Sequence, residues 1–401
     1  MDFSIPAETQ QLLDKIRAFV NTELIPVEHE FISKSFTEML PLLHEKRAKV
    51  RALGLSTPQI EKEHGGLGLS VQEHGLVSAE LGRTPVGHFV FNCQAPDAGN
   101  MEILIKFGTE AQRAQYLGPL VNGEIRSCFS MTEPEYPGSN PTWMGTTAVR
   151  EGDEYVINGR KWFTSSADGA KFAIVMAVTN PEAAPHFRAS MIIVPTDTPG
   201  FKLVENTPCM GHRGDDWHSH SEIIYENCRV PVGNLLGPEG AGFMIAQERL
   251  GPGRIHHCMR WIGICERSFE LLVTHAMKRE MSPDHKTLAS KQLVQAWIAE
   301  SRAEIHAARL MVLHAAWCID REGPKGAREE ISLIKFTVAN TMMRVVDRAI
   351  QAHGALGITD YTPLAFFYRN ERASRIYDGA DEVHKVSVAK KIMQRFEREM
   401  A

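Results

Sequence analysis

The hydrophobic period of this chain changes twice. It is helical to about residue 125, strand-like from 126 to 235, and helical again from 236 to 401. In the first stretch Leu12, Leu13, Ile16, Phe19, Val20 and Leu24 recur at three-to-four spacing, and Pro26 ends the run. Further helical patterns cover 40–53, 71–81 and 110–120, with a glycine-rich loop at 64–70. The middle stretch predicts strands at 146–149, 155–157, 161–164, 172–178, 190–194, 201–204 and 222–225. Asn158-Gly159 lies between two of them and predicts a hairpin there. Long helical segments then cover about 241–277, 288–319, 327–352 and 381–398, with a break at Glu322-Gly323-Pro324. The expected architecture is α+β, mainly α. An N-terminal helical domain (1–125) precedes a middle antiparallel β domain (126–235) and a C-terminal four-helix bundle (236–401).

Composition removes several classes of function. A chain of 401 residues exceeds the size of one core, in keeping with three domains. Forty-four Lys and Arg against 49 Asp and Glu give a net charge of −5, with no basic stripe of the kind that holds nucleic acid. The longest clean apolar run, 172–178, is far short of the roughly 20 residues of a bilayer helix. Residues 1–6 show no basic region followed by an apolar stretch, so no leader is expected. Seven cysteines, an odd number without a C-x-x-C pair, read as reduced thiols in a cytoplasmic protein.

Gly66-Leu67-Gly68 and Gly251-Pro252-Gly253 lack the strand and third glycine of a dinucleotide fingerprint, which argues against a nicotinamide enzyme. The histidine pairs 218/220 and 256/257 lack metal-site spacing, so no metal is expected. Three other segments carry more. They are Ser127-Cys128-Phe129-Ser130-Met131-Thr132-Glu133-Pro134 with Gly138-Ser139, Asn158-Gly159-Arg160-Lys161-Trp162-Phe163-Thr164, and Ile376-Tyr377-Asp378-Gly379-Ala380-Asp381-Glu382-Val383-His384. In this order, over essentially the whole chain, they resemble the acyl-CoA dehydrogenase family. The matching subgroup has aspartate at the catalytic-base position, where many members carry glutamate.

The resemblance implies FAD and an acyl-CoA substrate desaturated to a trans-2-enoyl-CoA, as in β-oxidation of fatty acids. It implies electron-transfer flavoprotein as acceptor, and a homodimer or homotetramer in which FAD spans two subunits. By the same resemblance Thr132 and Thr164, with backbone groups near Phe129 and Met131, donate to the flavin ring, and Trp162 walls it. Arg279, Gln351, Gly354 and Ala355 serve its nucleotide end. Ser139, Arg254, Asp378 and Gly379 face the thioester, with Asp378 as base and Arg254 beside it. A thioester α-proton is weakly acidic, so a carboxylate must sit at the α-carbon, and burial would raise its pKa. Other readings stay open from the residues: Asp378 as a helix cap, Arg254 as a surface residue, and Asp381 and Glu382 in caps or salt bridges. A flavin oxidase of the same fold (nitroalkane oxidase-like or acyl-CoA oxidase-like) and a lyase or hydratase acting on a hydroxyacyl-CoA are the alternative reactions.

Overall fold

The computed structural model describes residues 4–400; the reading of residues 1–3 lies outside them. The N-terminal region is helical. Its main helices are α1 (Ala7–Phe19), α2 (Phe36–Ala52), α3 (Val71–Leu81) and α4 (Asp97–Phe107). Helices α2 and α3 start where Ser35 and Ser70 close reciprocal caps with Glu38 and Glu73. The segment expected as helix over 110–120 is helical without a break, with a π-helical stretch Arg113–Leu117 between Glu110–Gln112 and Gly118–Val121.

The β region comprises β1 (Ser127–Ser130), β2 (Thr147–Glu151), β3 (Glu154–Ser165), β4 (Phe172–Val178), β5 (Ala189–Pro195), β6 (Phe201–Asn206), β7 (His220–Pro231) and β8 (Leu235–Leu236). They form one sheet in the order β6-β7-β3-β2-β4-β5-β8, and β1 also pairs with β4. The continuous apolar run of β4 is buried on both faces, as its internal position requires. Most pairings are antiparallel, but β1 runs parallel to β4, so the sheet is mixed.

The Asn158-Gly159 hairpin does not exist. Strand β3 runs straight through both residues and pairs with β7 on either side, with a register shift between Ile157 and Gly159. The Asn158 side-chain carbonyl accepts from the Asn227 backbone N–H at 2.8 Å, bracing the irregularity from the opposite strand. A Cβ on Gly159 would come within 2.3 Å of Thr146 Oγ1, so glycine serves close approach here rather than a turn.

The C-terminal region returns to helices: α5 (Gly242–Lys278), α6 (Gln292–Gly326), α7 (Arg328–His353), α8 (Leu364–Glu371) and α9 (Asp381–Met400). The break expected at 322–324 is a kink inside α6, where Gly323 has φ 71°. Helices α5, α6 and α7 pack on one another and α9 lies on α7, while α3 and α4 pack on α5. Helix α5 therefore sits at the junction of all three regions, and it carries much of the candidate site.

Candidate active site

Asp378 lies in the short segment before α9, in left-handed backbone at φ 52°, followed by Gly379 at φ 96°. A left-handed aspartate costs energy unless its surroundings impose it. Here they do. Arg254 Nε donates to the Asp378 carbonyl at 2.8 Å, and His384 Nε2 lies 3.1 Å from the same oxygen. The buried Lys335 ammonium donates to the carbonyl oxygens of Ser374 at 2.7 Å and Gly379 at 3.4 Å. Beneath this segment Glu371 accepts from Trp261 Nε1 at 2.9 Å and from Arg260 Nη2 at 2.8 Å.

The Asp378 carboxylate turns away from α9 and does not cap it. Its Oδ2 is 3.2 Å from His257 Nε2, and the side chain is 19% exposed. Burial alone would raise the carboxyl pKa. The close approach of His257 and the charges of Arg249 and Arg254 outweigh it, and they hold the group well below the usual carboxylate range. This reverses the raised pKa expected from burial alone. Burial lowers His257, against the pull of the Asp378 carboxylate 3.2 Å away. Arg254 is not a surface arginine, since it is partly buried against the Asp378 segment. Asp381 holds Arg375 at 2.9 Å and Asn340 at 2.8 Å, the salt-bridge role expected of it.

Arg249 connects this centre to the β domain. Its guanidinium stacks at 4.0 Å over the ring of Phe129, and its Nε donates to Asn100 at 2.9 Å. Beyond Phe129, the 131–133 loop is pinned by a buried ion pair. Lys161 Nζ donates to Met131 O and to Glu133 Oε1, both at 2.8 Å. Glu133 also accepts from the backbone N–H groups of Gly145 and Thr146, at 2.6 and 2.9 Å. Thr132 accepts from the Trp162 N–H at 3.0 Å, so this loop and β3 run side by side.

The residues of β3 beside this loop differ in exposure. Thr164 is fully buried, and its hydroxyl lies 3.2 Å from Ser130 Oγ in a core chain that ends at Tyr225. A register shift between Lys161 and Thr164 turns the open face of β3 over to Phe163, which is 43% exposed at φ 48°, and to the half-buried Ser165. Ser165 Oγ lies 2.8 Å from His220 Nδ1. Trp162 is half-buried, and its Nε1 is a buried donor without a partner. Ser139 is exposed, beside a cavity lined by Met131, Thr132, Tyr136, Gly138 and Trp143.

Arg279, Gln351, Gly354 and Ala355 are exposed, at the far ends of α5 and α7. The stacked rings of His275 and His353, 4.1 Å apart, join those two ends. Nineteen residues separate Gly354 from Lys335, which places this group about 28 Å along α7 from the Asp378 segment at 1.5 Å per residue. The two sets of residues do not form one site within a chain. Of the histidines weighed for metal, His218 is packed among Phe31, Phe36 and Phe366, and His256 bonds Glu102 at 3.1 Å.

Three family models match the chain: the N-terminal domain of acyl-CoA dehydrogenase over residues 6–124, the middle domain over 128–228 and the C-terminal domain over 240–393. The chain belongs to the acyl-CoA dehydrogenase family. It is 44% identical to a Mycobacterium tuberculosis protein named a probable acyl-CoA dehydrogenase, FadE2, over 98% of both chains. It is 39% identical to a solved Mycobacterium abscessus structure provisionally named an acyl-CoA dehydrogenase, with a TM-score of 0.93 over 98% of this chain and 100% of that one. A Mycobacterium smegmatis glutaryl-CoA dehydrogenase solved with FADH2 matches at 26% identity and a TM-score of 0.83, over 97% of this chain and 95% of that one. The chain spans about half the length of the mouse protein named acyl-CoA dehydrogenase family member 11, at 39% identity. Acyl-CoA dehydrogenases are enzymes, and this chain is one of them by family. Among the described residues no helix is long and apolar enough to cross a membrane.

Sequence reasoning gave no role to Arg249, Lys335 or the Lys161–Glu133 pair and weighed His257 only for metal. The one signal was Lys335, a charge set between apolar Ile334 and Phe336 on a helical pattern.

Proposed function

We propose that this chain desaturates an acyl-CoA thioester between its α and β carbons, with Asp378 as the base that takes the α-proton. One observation carries the reading. An ionised, largely buried carboxylate is held in strained backbone among two arginines and a histidine, and Arg249 links it to the opening of the β domain. A carboxylate so placed accepts a proton without first losing one to solvent. Arg249, Arg254 and Lys335 stand around the carboxylate, and their field would stabilise the negative charge that develops on the thioester oxygen.

The open face of the β domain suits a flavin. Trp162 Nε1 is a buried donor with no partner, and Phe163 and Ser165 stand beside it on the open side of β3. Phe129, Met131, Thr132, Trp162, Phe163 and Ser165 would hold the ring of FAD. When bound, FAD supplies the acceptor for the β-hydride. Ser139 would contact the CoA moiety or the cofactor pyrophosphate from its exposed loop, and Gly379 would border the thioester. Arg279 at the end of α5, and Gln351, Gly354 and Ala355 at the end of α7, lie too far from the Asp378 segment to serve the same cofactor copy, which supports their serving that of a second subunit. That placement supports a homodimer or homotetramer. Electron-transfer flavoprotein is the proposed acceptor, and the proposed compartment is the cytoplasm. The domain limits proposed are 1–125, 126–235 and 236–401.

The test is an anaerobic visible titration of the flavin-loaded protein with acyl-CoAs of different length and branching. Bleaching of the flavin band by one class supports desaturation and names the substrate. A band that no thioester bleaches contradicts it and turns attention to oxidase or redox-neutral chemistry.

A further inference from the structure

The pairing of Asp378 with His257 carries a consequence for how the base works. Gly253 and His257 are four residues apart on α5 and so share one face of the helix. Asp378 Oδ2 rests on that face. It is 3.6 Å from the point a Cβ on Gly253 would occupy and 3.2 Å from His257 Nε2. The imidazole cannot swing freely. The Tyr377 ring lies 4.8 Å from it, and the Trp261 ring lies 5.9 Å away at an interplanar angle of 18°. Trp261 is itself fixed by Glu371.

We propose that His257 is a positioning residue for the Asp378 base: its Nε2–H holds Oδ2 on the helix and leaves Oδ1 for the substrate α-proton. The proposal rests on the reading of Asp378 as the base. It also accounts for the short side chain, because the ring reaching across from α5 occupies the length that the extra methylene of glutamate would need.

Other charged and titratable groups face the carboxylate. Arg249, Arg254 and the Cys258 thiol do so from α5, Lys335 from α7, His384 from α9, and Tyr377 from the same segment. They remain when His257 is changed, so its loss raises the carboxyl pKa without freeing it entirely. The carboxyl band of Asp378 is followed by infrared difference titration of the substrate-free, flavin-loaded protein, with Asp378→Asn assigning the band. In His257→Leu the midpoint is expected to rise by about one pH unit or more, and in His257→Gln, which keeps a donor, to stay nearer the native value. The acid limb of turnover should move upward with it in the Leu variant, with kcat falling more than KM changes. If the Leu variant does not fold, His257→Asn, a donor too short to reach, gives the same comparison.

A midpoint in the Leu or Asn variant equal to the native one overturns the proposal. The infrared arm needs no substrate, so it separates the two readings. A protein that no acyl-CoA bleaches, yet whose Asp378 titration follows residue 257, loses the proposed reaction and keeps the pair.

Discussion

Two buried charge systems flank the candidate site, and they are built in opposite ways. In the β domain Lys161 and Glu133 are almost wholly buried, at 0% and 3% side-chain exposure, and each satisfies the other. Burial pushes Lys161 down to about 8, against the pull of Glu133, and the ion pair persists at neutral pH. Burial would raise Glu133, but Lys161 and two backbone N–H groups more than offset it. Every partner is local, and the pair locks the 131–133 loop to β3. Around Asp378 the balance is uneven. Asp378 faces Arg249, Arg254 and Lys335, Arg249 also faces Glu102 and Asp97, Lys335 also faces Asp381, and the Asp378 backbone is left-handed. A closed pair stabilises shape. An open one keeps a carboxylate ionised and leaves positive field over for charge that forms on a ligand.

The largest test breaks the closed pair. Lys161→Met leaves Glu133 buried without its cation and should lower unfolding free energy by about 3–5 kcal/mol in a urea titration. The flavin absorbance of the purified protein should fall with it. The matching change in the open system behaves differently. Asp378→Asn should slow flavin bleaching about 10²–10⁴-fold in stopped flow, and it should lower the urea midpoint less than Lys161→Met does. Arg254→Gln removes a charge-assisted bond to the Asp378 carbonyl. A cost of about 1.5–3 kcal/mol is expected, read as slower bleaching rather than as weaker flavin retention.

Smaller changes sharpen the boundary between the two systems. Gly354 has φ 58°, and a Cβ there meets no atom within 4 Å. Gly354→Ala should therefore cost about 1 kcal/mol from backbone strain alone, seen as a lower melting temperature. If that residue serves a second subunit's cofactor, flavin retention on dilution should fall as well. Thr164→Val should cost about 1 kcal/mol of stability and leave the flavin spectrum unchanged, because its hydroxyl belongs to the core chain with Ser130. Ser165→Ala should do the reverse and shift the flavin band.

Much of this was legible in the amino-acid sequence, and the misreadings share a cause. The period changes mark the helical and β regions because an amphipathic stripe and an alternating strand leave different apolar spacings. The pattern at 71–81 coincides with α3, whose cap at Ser70 is itself a sequence signal. What period reading cannot register is a bulge. At Asn158-Gly159 an irregular strand was read as a turn, and between Lys161 and Thr164 a register shift turned the open face over by one residue. The resemblance placed Asp378 and Arg254 side by side, where the structure has them. It was silent on Arg249 and His257. A charged residue on a long amphipathic helix looks solvated until the packing of α3, α4 and the 374–379 segment against that helix is known. The separation of Asp378 from Gly354 likewise depends on the length and direction of α7.

The central claim is that Asp378 takes the α-proton, and isotope exchange tests it most directly. The flavin-loaded protein is incubated anaerobically in deuterated water with the acyl-CoA that bleaches it, and the recovered thioester is analysed by mass spectrometry. The account predicts deuterium at the α-carbon with the native protein and none above background with Asp378→Asn. Exchange that continues at the native rate in the Asn variant would contradict it and assign the base to another group.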